Sequence, residues 1–294
     1  MDVPNYPPMI DLAILFALTS LVLGGLNEVV FKRYSAEVRS RGMMISGVGM
    51  IWTLLLLLDV TLRGDGIGMD AAGLYYGLSA GLLVAIANIL LLESLRHMEV
   101  SLGSTIYRLN TIAVVVLSVL FLGETMTLSK LSGISCGVVA VLLLYRHQTI
   151  HADHAELKLG LMLVIVGALC RAVYGVVSKA GLQHGVDMNL LLLTSALCWV
   201  GSGLFYARFV EHRYAITRTK IGYAILSGCL VYGIVRSLLS ALALGEASVV
   251  ITIANLSFLM ALPVALVMKM ERFSTRKLLA MVFAVSAITL LARA

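Results

Sequence analysis

Ten runs of about 20 apolar residues, joined by short polar connections, leave this chain few ways to fold. They cover approximately 11–31, 43–62, 72–92, 100–121, 129–146, 158–178, 188–208, 221–243, 247–268 and 275–292. A helix needs roughly 20 residues to cross a hydrocarbon core about 30 Å thick. Strands of a membrane barrel would be about ten residues long and would alternate apolar with polar. These runs are about twice that length and continuously apolar, so they are expected to be helices. Apolar types make up 60% of the 294 residues and charged types 13%, against about 25% charged in an ordinary soluble domain. The solvent for most of the chain is therefore lipid, and a lipid bilayer is its first partner. The longest polar connection runs from Arg146 to Lys158, which leaves no room for a soluble domain. The first run ends at Lys32-Arg33 rather than at a small-residue cleavage site, so it reads as a retained helix. The four cysteines lie inside apolar runs without a CxxC pair and read as small buried hydrophobes. No metal or cofactor is expected.

The loop charges orient these helices. Of the 22 Lys and Arg residues, fifteen fall on the side of the helix 1–2 loop and four, Arg63, Lys130, Lys179 and Arg293, on the other. Three lie within spans. The bias places the helix 1–2 loop in the cytoplasm and both termini outside, in a multi-pass protein of the inner cell membrane. It also accounts for the formal net charge of +6, so no nucleic-acid partner is inferred.

Shifting the sequence by 147 residues, half its length, aligns the two halves without a gap. Glu99 meets Glu246, Ser101 meets Ser248, Thr105 meets Thr252 and Leu109 meets Leu256. Glu124 meets Glu271, Lys130 meets Lys277 and Lys32 meets Lys179. Matched charges are rare in membrane helices and carry the alignment. Each half holds five spans, an odd number, so the second half enters the membrane in the opposite sense. The expected architecture is all-α: ten transmembrane helices in two inverted repeats, residues 1–147 and 148–294, around a central cavity. Secondary transporters use such inverted repeats recurrently.

The stretch Phe121-Leu122-Gly123-Glu124-Thr125, followed by Leu131, Gly133 and an apolar run to Leu144, has an echo in Met270-Glu271-Arg272-Phe273 and the last helix. Both resemble the helix 4–5 and helix 9–10 hairpins of the EamA-type family, in the drug/metabolite transporter superfamily. There a Gly-Glu turn precedes the last helix of each repeat; Met270 replaces the glycine in the second half. The resemblance implies a cavity surrounded by helices 1–4 and 6–9, with helices 5 and 10 behind. It also implies a transporter of amino acids, other metabolites, sugar phosphates or nucleotide sugars, rather than an enzyme.

The three cations within spans are all arginines: Arg108, Arg171 and Arg236. A mid-membrane Arg costs roughly 2.5–3.5 kcal/mol on insertion scales, so each is expected to face a polar cavity or a partner. None is duplicated: they align with Asn255, Gly24 and Ile89. A residue that maintains the repeat should appear twice, whereas one that binds an asymmetric solute need not. Guanidinium suits carboxylate and phosphate. Tyr107, Tyr174 and Tyr232 add hydroxyls; Asn88, Asn110 and Asn255 add amides. The in-span acids are Glu28, Asp59 and Glu93, so the cavity reads as net positive. The expected substrate-binding set is Arg108, Arg171, Arg236, Tyr107, Tyr174 and Asn255. The expected substrate is a small anionic or zwitterionic metabolite, phosphorylated ones included. The competing reading makes each arginine a structural pin, with Glu28–Arg171 and Glu93–Arg96 as conceivable pairs. Glu28 reads as an ion-pair partner, with Lys32 for instance, or as a proton-coupling carboxylate.

The duplicated Glu99, Glu246, Glu124 and Glu271 suit capping and helix-dipole roles, and Lys32 and Lys179 suit interfacial anchors. Pro263 is expected to kink helix 9. Two other functions stay open. One is a flippase for a phosphate-linked lipid. The other is an intramembrane enzyme, for which no catalytic set stands out. His147, His151 and His154 lie in a polar loop, and no GxxxxGK[ST] loop is present. A monomer would suffice because both repeats are fused; a homodimer is the alternative.

Overall fold

A computed structural model describes residues 9–35, 40–98, 100–144, 154–212, 214, 218–269 and 274–293. Glu99, Glu271, His147, His151 and the side chains of Lys32, Arg96 and His154 lie outside the described residues; the backbone of His154 opens a helix rather than lying in a loop. The described residues form twelve α-helices and no strand. They are α1 (Met9–Ser35), α2 (Arg41–Arg63), α3 (Ala71–His97), α4 (Val100–Arg108), α5 (Asn110–Leu122), α6 (Leu128–Leu143), α7 (His154–Gln183), α8 (Met188–Phe209), α9 (Arg218–Leu244), α10 (Ala247–Asn255), α11 (Phe258–Val267) and α12 (Thr275–Leu291). Starts of α2, α3, α6, α8 and α12 are fixed by Ser40, Asp70, Thr127, Asp187 and Ser274, whose side chains accept from a first-turn N–H.

Among the described residues, eight segments are long and apolar enough to cross a membrane, two of them formed by α4 with α5 and by α10 with α11. The expected spans 129–146 and 275–292 fall on α6 and α12, which are shorter at 16 and 17 residues. Large apolar side chains stand on the surface, such as Phe121 at 73% and Leu128 at 83% exposure, as a lipid solvent allows.

The helices pack in a recurrent pattern. α1 runs antiparallel to α9, with Ser20 against Ile234 and Asn27 against Ser227. α3 runs antiparallel to α7 in the same way, with Gly181 against Tyr76 and Gly160 against Ser94. α3 lies parallel to α8, as α2 does to α9. Two further pairs are antiparallel, α2 with α8 and α6 with α12. The α2–α8 seam is close because it carries small residues: a Cβ on Gly42 would stand 2.5 Å from Ala207 N, and one on Gly203 would stand 2.4 Å from Ser46 N.

Helix ends are satisfied by side chains from distant segments. Gly123 ends α5 in the left-handed conformation (φ 67°), and the turn it makes carries Glu124 to the start of α10. There Glu124 accepts from the N–H groups of Ala247 (2.6 Å) and Ser248 (3.1 Å) and from the Ser248 hydroxyl. At α2, Glu211 accepts from Arg41 N (2.7 Å), Gly42 N (3.3 Å) and the Ser40 hydroxyl. The capping role expected of Glu124 thus serves a helix of the other half. Glu246 instead pairs with Lys130, whose ammonium also donates to Thr125 O.

Lys179 and the cysteines depart from expectation. Lys179 is buried rather than an exposed anchor: α7 continues past it to Gln183, and its ammonium donates to Leu242 O at the end of α9 (2.6 Å). Pro263 lies inside α11 without interrupting it; the break in this span comes earlier, at Leu256 and Ser257. Cys229 is exposed and the other three cysteines are half-buried, all four as free thiols.

The seam gives a direct test. Gly203→Leu should destabilise the protein by about 1–3 kcal/mol through overpacking, seen as a lower unfolding midpoint in detergent. Gly201→Leu meets nothing within 4 Å and should leave the midpoint unchanged.

Candidate functional site

Two helix breaks form the centre of the candidate site. Leu109 separates α4 from α5, and Leu256 with Ser257 separates α10 from α11. At each the hydrogen bonding tightens to an i→i−3 turn: Ile112 N donates to Leu109 O (3.0 Å) and Leu259 N to Leu256 O (2.9 Å). Neither turn contains proline or glycine. Both have a polar residue after the leucine, Asn110 and Ser257, whose side chain bonds to a different helix. Leu109 and Leu256 stand 147 residues apart in the chain.

The breaks meet. Asn255 donates its side-chain amide to Asn110 Oδ1 (2.6 Å) and Thr111 Oγ1 (2.8 Å), all three groups being buried. Glu28 of α1 joins the two breaks: one carboxylate oxygen pairs with Arg108 NH2 (2.5 Å), the other accepts from the Ser257 hydroxyl (2.5 Å). The Arg108 guanidinium also lies 5.6 Å from the centre of the Phe258 ring. α1 approaches the second break closely because position 25 is glycine; a Cβ there would stand 2.4 Å from Ser257 O. Beside the junction Arg108, Thr111, Thr252 and Asn255 border a void with room for about one water molecule.

Arg171 of α7 sits with its guanidinium 5.4 Å from the centre of the Tyr107 ring, one residue before Arg108. Among the described residues no carboxylate lies within ion-pairing distance of it, so of the three arginines it alone keeps an uncompensated charge. The conceivable Glu28–Arg171 pair is therefore replaced by Glu28–Arg108. Tyr174, also on α7, is buried in a cluster with Ala80 and Val84. Asn88 donates to Val84 O within its own helix.

Arg236 is elsewhere. It lies nine residues beyond Ser227, which contacts Asn27 beside Glu28; at 1.5 Å per residue this is roughly 14 Å along α9. Its partners are Asn189 and Asp59. The structure thus brings together Glu28, Arg108 and Asn255, sets Arg171 on Tyr107 next to them in the chain, and keeps Arg236 apart. It adds Ser257, Thr111 and Phe258, which the arginine-led reading passed over. Ser257 could have been found: it occupies the same repeat position as Asn110, directly after each matched leucine.

The comparisons with known proteins agree with this architecture. Residues 11–146 match the model of the EamA-like transporter family. That family lies within the drug/metabolite transporter superfamily. The long apolar helices make the chain a multi-pass membrane protein, and the family matched over these residues is one of transporters. The crystal structure of another protein has a similar fold: the TM-score is 0.81 over 96% of this chain and 97% of that one, at 15% identity. No curated protein matches the EamA-like chain.

The ion pair at the junction can be tested by a double-mutant cycle. Removing one partner of this half-buried pair leaves the other charge without its counter-ion, so single removals cost more than their share of the double. Glu28→Gln and Arg108→Gln should each lower the unfolding midpoint, and the double variant should cost less than their sum, a coupling of about 1–2 kcal/mol. Additive losses would mean that the two groups do not interact in the folded protein.

Proposed function

We propose that this EamA-like protein is a secondary transporter that moves a small anionic or zwitterionic metabolite, phosphorylated ones included, by alternating access. The observation that carries the reading is the junction of the two helix breaks, 147 residues apart in sequence, with the Glu28–Arg108 pair across it. Irregular backbone at membrane depth is tolerated where it is enclosed by protein or borders a cavity, and transporters place substrate sites at such interrupted helices.

The finer architecture follows the same logic. Ten spans are counted when α4 with α5 and α10 with α11 are each taken as one and α6 and α12 are included. The halves 1–147 and 148–294 then form inverted repeats, a reading supported by the paired packing of α1 on α9 and α3 on α7. Lys and Arg counts favour a cytoplasmic helix 1–2 loop in the inner cell membrane. In this orientation the junction lies between the two membrane faces, and rocking of one half against the other would open it to each in turn.

Within the site, Arg108 and Glu28 form an ion pair that a zwitterion can replace group for group, its carboxylate on Arg108 and its amine on Glu28. Glu28 is assigned as this pairing carboxylate rather than as a proton carrier. Arg171 supplies the uncompensated positive charge that favours an anionic group, with Tyr107 beneath it. Asn255 lines the contact between the breaks. Tyr174 supports α7 behind Arg171. The fused halves allow a monomer to work alone.

Purified protein in liposomes tests the reading. One or more carboxylated or phosphorylated metabolites from a broad panel should show saturable counterflow. Arg171→Gln should lower flux at limiting solute at least about tenfold, the equivalent of ~1.4 kcal/mol of binding, while leaving the unfolding midpoint near that of the wild type. Absence of counterflow for the whole panel, or equal flux by the variant, would refute it.

A further inference from the structure

The cluster around Asp59 has the composition of an occupied anion site. Three helices contribute to it: α2 gives Asp59 and Arg63, α8 gives Asn189, and α9 gives Tyr232 and Arg236. Asp59 Oδ1 accepts from Arg63 Nε at 2.7 Å. Asp59 Oδ2 accepts from the Tyr232 hydroxyl at 2.9 Å and lies 3.6 Å from Arg236 NH2. That last separation is an ion pair beyond hydrogen-bond length. The other terminal nitrogen of Arg236 is held firmly, donating to Asn189 Oδ1 at 2.6 Å. Two guanidinium groups and one phenol therefore converge on a single carboxylate, and the cluster has one positive charge in excess. The side chains of Asp59 and Arg236 are 21% and 24% exposed, so a ligand could reach them.

We propose that Arg236, Tyr232 and Asn189 form a second oxyanion site, distinct from the Glu28–Arg108 junction, in which Asp59 is a resident stand-in that a solute carboxylate or phosphate displaces. Asp59 does not need to leave the cluster. It keeps its bond to Arg63 one turn away on α2 and yields Arg236 and Tyr232 to the incoming oxyanion. The asymmetry of its contacts, firm to Arg63 and loose to Arg236, suits this exchange. Asn189 fixes one edge of the guanidinium, so the free edge presents a fork to a carboxylate or phosphate. The site lies near the end of α2, where a solute entering or leaving the bundle would pass before or after the junction roughly 14 Å away. The same donors would hold the phosphate of a lipid headgroup; the proposal commits to a soluble solute.

The identity of the solute class rests on the transport reading, but the site is tested by binding alone. Full-length protein in phosphatidylcholine nanodiscs is titrated with inorganic phosphate and, separately, acetate, and the unfolding midpoint is followed. Both should stabilise the wild type in a saturable way. Asp59→Asn removes the competing charge and should lower the half-saturating phosphate concentration at least about tenfold; a unit charge about 4 Å away, near a protein surface, has room for an effect of that size. Arg236→Gln should abolish the response. If that variant does not accumulate, Tyr232→Phe keeps the ring and should weaken binding severalfold. Weaker or unchanged binding in Asp59→Asn, or an intact response in Arg236→Gln, would overturn the proposal. So would loss of the phosphate response on changing the lipid to phosphatidylglycerol, which would place a headgroup in the site. Because no transport is measured, a protein that moves no solute would leave this outcome standing. Unaltered counterflow with no phosphate response would remove the site and leave the transport reading intact.

Discussion

Hydrocarbon cannot hydrogen-bond, and this constraint governs the molecule. Each helix end and each charge within the apolar layer must find its partner inside the protein. The partners found here lie far apart in sequence. Glu124 caps α10, Glu211 caps α2, Lys179 closes the end of α9, and Lys130 pairs with Glu246. None of these contacts is local, so each polar requirement of one helix also fixes the position of another. Polar satisfaction and tertiary structure are thus the same set of contacts. Apolar packing alone would specify less, because lipid tails compete with side chains for apolar surface.

The same constraint shapes the candidate sites. A guanidinium held ready for an anion in such a medium is costly unless something neutralises it meanwhile. Arg108 is neutralised by Glu28, and Arg236 shares Asp59 with Arg63. These arginines are structurally paired and chemically suited to binding at once. An ion pair that can be replaced by a solute of matching charges serves both purposes. Arg171 resolves the problem differently, with an aromatic face in place of a carboxylate.

Much of the fold could be read from the sequence, because a helix that crosses a bilayer announces itself by length and continuous apolarity. The helix breaks could not. Their turns carry leucine, asparagine and serine, none of which is a helix breaker, and the proline in the same span lies inside an unbroken helix. The breaks depend on side chains that bond across the bundle, a tertiary effect that no local pattern encodes. The partner of Glu28 was hidden for a similar reason: Lys32 was the local candidate, and Arg108 lies 80 residues away. Lys179 misled because its apolar run seems to end there, whereas α7 continues and encloses it. The three arginines were visible as costly residues, but their division between two clusters depends on depth along α9, which sequence position alone does not relate to the other half.

Duplication separates two classes of polar residue in this chain. Glu124, Glu246, Lys130 and Lys179 each have a match 147 positions away; Glu124 and Lys179 close helix ends, and Glu246 and Lys130 pair with each other. Arg108, Arg171 and Arg236 have no such match, and none of the three caps a helix among the described contacts. Under the repeat reading end-caps are needed twice, because each copy brings helix ends that must be closed. A solute with one charged end and one different end needs an asymmetric site once. Under the proposed transport reading, loss of a duplicated residue bears on whether the bundle assembles, and loss of an unduplicated arginine on what the bundle can hold. Glu28 shows how the two classes connect: it faces Gly175 in the alignment, so it is itself unduplicated, yet it binds one break through Arg108 and the other through Ser257. A change at Arg108 or at Ser257 would therefore reach both breaks through it.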